Sequence, residues 1–271
     1  MINITVYQLK GGCLLINNYL DTSKYNFEKH NIEFQTIFPV VNNNSSNIIE
    51  LNKSHSSQKI EPYKLISQVI HSGEYRDEGV PFFWHPLRMS FTLDNIINTE
   101  KIKKNSFFYD IYTIMRNGIF MHDVFEHLKN KCINIEPLKK YMQSIKKDTI
   151  NQHIIEVSSY FTNDKNLPRE EYLNQIQYYD KIMQFIIYSD KIFDIYDNSL
   201  TIRKYAGEEK TNIRIEKLET DLDFIDEACE KIKNHNLIQI YKDTDIIYKL
   251  KNITQDNISK NIKGYKQQLV A

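Results

Sequence analysis

Glycine and proline are scarce in this chain, 7 and 6 among 271 residues, and that scarcity argues against a sheet-rich fold threaded by many tight turns. Cysteine is scarcer still. Cys13, Cys132 and Cys229 form no CxxC pair, and an odd count at such spacing excludes a disulfide framework or a structural zinc knuckle and predicts a reducing interior. Net charge is missing as well, because Lys plus Arg and Asp plus Glu both total 35, so no broad nucleic-acid or anionic-membrane footprint is expected. Long apolar runs are absent. The N-terminal region offers only Cys13-Leu14-Leu15-Ile16, with no basic leader or small-residue cleavage site, and no later stretch reaches the length of a membrane span. The expected location is cytosolic, in the source cell or in a cell the protein enters.

What the chain does contain is Ile, Leu, Lys, Glu and Tyr at three- and four-residue spacings, together with 41% hydrophobic residues, enough for one substantial helical core. Residues 1 to 56 differ: Ile2, Ile4 and Val6, then Ile32, Phe34 and Ile37, alternate as short strands do. The Asn-rich run 42 to 47 and the polar stretch 54 to 58 place a boundary near residue 57. The predicted organisation is an N-terminal extension over 1–56, a main helical domain over 57–240 and a C-terminal helical tail over 241–271.

Within the main domain, Leu65, Ile66, Val69 and Ile70 mark a helix that stops near Gly73. A polar loop follows and turns at Gly79 and Pro81, and Pro86 then fits the first turn of a new helix with His85 at its entrance. Lys101 to Lys104 reads as a solvated loop. Phe107 to Asn117 and Ile119 to Asn130 read as helical pieces bent at Gly118, residues 138 to 160 as one long helical pattern, and Tyr172 to Tyr196 as an aromatic-rich helix. On that last helix Asp190, Asp194 and Asp197 recur along one edge, a spacing that suits either a solvated surface or a cation site. Ile215, Leu218, Leu222, Ile225, Cys229 and Ile232 then trace a packing helix.

The densest chemistry lies at His122-Asp123-Val124-Phe125-Glu126-His127, where four groups able to bind a metal or activate water fall within six residues. With His85 and Asp190, this segment assembles two imidazoles and two carboxylates from three parts of the chain. Such a donor set suits Mn(II), Fe(II) or Zn(II) rather than a soft thiolate site.

These segments, in order, resemble the Rel/SpoT type of HD-domain hydrolases, most closely their small stand-alone alarmone hydrolases, over about residues 60 to 200. HSGEYRDEGVPFFWHP, residues 71 to 86, is similar to the family stretch that ends in a metal-binding His-Pro. HDVFEH resembles HDxxED, FTNDKNLPRE resembles TDDKxLPK, and SDKIFD resembles ADKLYN.

The resemblance implies a mainly α metallohydrolase core in which His85, His122, Asp123 and Asp190 bind one divalent ion, Mn(II) by family habit. Glu126 would orient or deprotonate the attacking water, and His127 is a second catalytic candidate, as proton donor or as a replacement for the family's acid. Arg76, Lys165, Arg169 and Asp194 would face the substrate. The implied reaction removes the 3′-pyrophosphate of ppGpp or a related alarmone. Alternatives are another phosphoester (ppApp, the 2′-phosphate of NADPH, a pyrophosphorylated RNA end) or a non-catalytic partner that neutralises a toxin. Asp77, His127 and Asp194 depart from the family pattern, and Asp77 and Asp194 add negative charge where a phosphate-rich ligand is expected. His71 is expected to pack behind the site rather than to bind an ion.

Overall fold

The computed structural model describes residues 4–8, 14–18, 62–71, 74–76, 79–145, 149–161, 171, 174–200 and 207–270. Strands β1 (Ile4–Gln8) and β2 (Leu14–Asn18) pair antiparallel, with Ile4 opposite Asn18. The expected strand around Ile32 to Ile37 lies outside the described residues. From Pro62 onward the described residues are mainly helical.

Helix α1 (Pro62–Ile70) leads through a loop to α2 (Trp84–Ile96), then α3 (Phe107–Met121) and the short α4 (Val124–Asn130). The hinge of the loop is an isolated bridge between Tyr75 and Pro81, and Gly79 turns it at a φ of 79°, a left-handed value that glycine adopts without strain. Helices α5 (Glu136–Ile145) and α6 (Thr149–Phe161) divide the stretch expected to form one long helix. Helix α7 (Lys181–Leu200) follows a 3₁₀ turn at Gln175–Tyr178, and Asp180 starts it by accepting hydrogen bonds from the backbone N–H groups of Ile182 and Met183. Helices α8 (Glu208–Lys233) and α9 (Ile246–Gln268) complete the chain.

Helix α7 is the axis of the fold, packing against α2, α3, α6, α8 and α9. Its apolar face supplies Phe185, Ile186, Ile192 and Phe193 to the core, and α8 contributes Ile215, Leu218, Ile225, Cys229 and Ile232 at the spacing expected of it. The C-terminal helix belongs to this body: α9 buries Ile247, Leu250 and Ile258 against α7 and α8, and Tyr241 donates its hydroxyl to Ser189 of α7 at 2.8 Å.

The expected bend at Gly118 is absent. Gly118 is buried inside a continuous α3, and the chain breaks instead at His122 and Asp123. Asp123 is the N-cap residue of α4, yet its carboxylate makes no capping hydrogen bond. Aspartate is among the preferred N-cap residues, and such a bond contributes about 1 kcal/mol. The carboxylate points elsewhere.

Candidate metal centre

The polar edge of α7 is buried, not solvated. Asp190 and Asp197 are 3% and 2% exposed, and they meet the two histidines carried by α2 and by the α3–α4 break. His85 enters from the first turn of α2, where Pro86 costs no hydrogen bond because that turn's N–H groups lack intrahelical partners. Its Nδ1 lies 2.6 Å from Asp197 Oδ2. Arg88, one turn further along α2, fixes the same carboxylate with bonds of 2.5 Å from Nε and 2.7 Å from a terminal nitrogen. His122 is held in the same way, with its Nδ1 3.0 Å from Asp190 Oδ2.

With each Nδ1 donating to its own aspartate, both Nε2 atoms are turned to the opposite side. There they converge on Asp194. His85 Nε2 is 3.2 Å and His122 Nε2 3.8 Å from Asp194 Oδ1, and the three donor atoms lie within 4.8 Å of one another. Asp123 closes the group, its oxygens 3.9 Å from His85 Nε2 and 3.5 Å from His122 Nε2. This explains the uncapped helix. Asp123 is turned to the histidines at the expense of its own N-terminal cap.

The electrostatics follow from packing like-charged carboxylates around two buried rings. Burial opposes a charge on His122, but Asp190, Asp123 and Asp194 together outweigh it and push its pKa up to about 9. Burial likewise opposes the charge on Asp194, and the hydrogen bond with His85 and the His122 ring win, holding it well below the usual carboxylate range. Asp197 is taken down to about 2 against its burial, chiefly by Arg88. Asp190 Oδ1 is buried and has no hydrogen-bond partner among the described residues. Two Nε2 atoms and the carboxylates of Asp123 and Asp194 form a hard and borderline donor set that fits a divalent first-row ion.

The expected ligands are thus together, with one rearrangement. Asp190, expected on the ion, is placed behind His122, and Asp194, expected to face substrate, is placed between the two Nε2 atoms. Both lie on one face of α7 a turn apart, and helical periodicity does not say which carboxylate reaches which atom. Asp197 and Arg88 were not anticipated as functional; the i, i+4, i+7 spacing of the three aspartates was the available signal. The negative charge of Asp194 is therefore spent on the histidines and not on a phosphate pocket.

Arg76 lies beside this centre, its guanidinium 5.7 Å from the Phe82 ring centroid and 2.6 Å from Asn198 Oδ1. Asn198 in turn donates to Asp194 Oδ1 at 2.5 Å, so a polar chain runs from Arg76 to the centre. Glu126 is half-buried in the first turn of α4. His127, expected to act in the same site, is turned toward His71 and Glu74, with Nε2 3.2 Å from Glu74 Oε2. Lys165, Arg169 and Asp77 lie outside the described residues. No described helix is long and apolar enough to cross a membrane. Comparison of the chain with protein-family models, curated proteins and solved structures returned no match.

Proposed function

We propose that this protein is a metal-dependent phosphohydrolase of the HD-domain kind, with one divalent ion held by His85, His122, Asp123 and Asp194. The observation that carries the reading is the convergence of two imidazole Nε2 atoms on Asp194, each ring locked from behind by its own aspartate. Carboxylate-backed histidines are the usual support of a metal site, because the carboxylate fixes the tautomer and raises the basicity of the ligating nitrogen. When bound, the ion supplies a lowered pKa for a water molecule and offsets charge on phosphate oxygens. The residues of the chain do the rest. Glu126, three residues after Asp123, takes the proton of the attacking water. Arg76, stacked near Phe82 and tied to Asn198, recognises the phosphates or the base of a nucleotide.

The substrate that fits the resemblance is a nucleotide with a 3′-pyrophosphate, ppGpp or a related alarmone, cleaved to GDP and pyrophosphate, with Mn(II) as the ion. The test is to incubate the purified protein and Mn(II) with ppGpp, ppApp, NADPH and a pyrophosphorylated RNA end, and to assay the released phosphate and pyrophosphate. Pyrophosphate from ppGpp is expected. Glu126→Gln preserves size but cannot accept the proton, so it lowers turnover by about 10² to 10⁴ at unchanged metal content. A fully loaded protein that turns over none of the panel overturns the catalytic reading.

A further inference from the structure

A second group of donors lies beside the first and is not used by it. His71, at the end of α1, Glu74, in the loop that follows, and His127, on α4, bring three potential ligand atoms within 4.8 Å of one another. The two rings stand edge to face with centroids 5.0 Å apart, and His71 also stacks on Phe82 at 4.6 Å. Glu74 is divided between two partners: Oε1 pairs with Lys131, and Oε2 lies 3.2 Å from His127 Nε2. A proton shared by Glu74 and His127 accounts for that contact. It does not account for His71.

His71 is 2% exposed, and neither of its ring nitrogens has a hydrogen-bond partner among the described residues. Leaving a buried polar group unpaired costs about 1 to 3 kcal/mol, so a ring with neither nitrogen partnered points to a ligand, and an ion would take the lone pair of one of the two. We propose that His71, Glu74 and His127 bind a second divalent transition-metal ion, separate from the one held by His85, His122, Asp123 and Asp194. Burial, the dominant cause, takes the pKa of His71 down to about 4, and burial also lowers that of His127. The His71 ring is therefore neutral at pH 7, the state in which imidazole ligates.

Two imidazoles and one carboxylate are the donor set of open zinc and iron sites, with further positions left for water or substrate. The two groups share α4. Asp123 and His127 are four residues apart, one helical turn, so a single short element supplies a ligand to each ion. The inference goes beyond the one-ion centre and does not depend on its proposed chemistry.

The experiment strips the full-length protein with a chelator, reloads it with Zn(II), removes loose metal by desalting and counts zinc per folded chain. Two ions are expected in the parent, one in His127→Gln, one in His122→Ala and none in the double variant. His71→Ala opens a buried position and is open to misfolding; His127→Gln, at a half-buried ring, keeps the test independent of that outcome. A single ion that survives His127→Gln, or two ions that both survive it, overturns the second site. A single ion lost in His127→Gln and kept in His122→Ala supports the second site and removes the first.

Discussion

Asp190 and Asp194 are one helical turn apart on α7 and engage opposite nitrogens of the same ring: Asp190 lies 3.0 Å from Nδ1 of His122, and Asp194 lies 3.8 Å from its Nε2. Their neutral variants should differ accordingly. Asp190→Asn keeps the shape of the contact but weakens the orienting bond, and loss of such a supporting carboxylate lowers metal affinity by about 10- to 100-fold. Asp194→Asn removes a charge that faces both Nε2 atoms, so the loss is expected to be larger, with no ion retained after desalting. Competition against a chelating dye ranks the two. The opposite order would return Asp190 to the ion and move Asp194 behind it.

Helix α7 presents Asp190 and Asp197 buried and Asp194 partly exposed, and α2 locks Asp197. Arg88 and His85 are three residues apart and both grip Asp197, so α2 and α7 are clamped at the point where the first histidine is aimed. Arg88→Met leaves the Asp197 carboxylate, 2% exposed, to His85 without its buried cation, and removal of one partner from a buried ion pair costs about 3 to 5 kcal/mol. Urea melts of the metal-free protein measure this; a loss under 1 kcal/mol would mean that Asp197 is protonated or solvated. Periodicity disclosed α1 and α8, with Ile66, Ile215, Leu218, Ile225, Cys229 and Ile232 buried, because an apolar stripe at three- and four-residue spacing has few other ways to be buried; of the helix expected over Tyr172 to Tyr196, α7 begins only at Lys181. The break between α3 and α4 was not legible. Gly118 carried the sequence signal for a bend, whereas the real break comes from Asp123, a residue diverted to a tertiary cluster. For the same reason Glu74 escaped notice: it lies in a loop with no period, and only the fold brings it to His71 and His127.

At the scale of the whole molecule, the first centre couples stability to protons and to metal in opposite senses. In the metal-free protein His122 is raised from an ordinary 6.5 to about 9 by the field of Asp190, Asp123 and Asp194, in spite of burial. Since the folded pKa lies above the unfolded one, the stabilisation is fully present below about pH 6.5 and is lost as pH rises through 9; for this displacement it is on the order of 3 kcal/mol. Asp197 acts at the other end. Its pKa is depressed to about 2, mainly by Arg88, so its contribution is present above the ordinary carboxylate value near 3.8 and is lost as pH falls through 2. An ion at the centre needs the Nε2 lone pair that the proton occupies, so metal binding releases a proton and strengthens as pH rises over the same interval in which the metal-free fold weakens. Thermal melts of chelated protein should therefore fall between pH 6.5 and 9, and those of Mn(II)-loaded protein should stay level or rise. In His122→Ala the fall over that interval should disappear. If chelated parent protein melts at one temperature across the interval, His122 does not carry the proton, and the charge balance of the four carboxylates rests on another group.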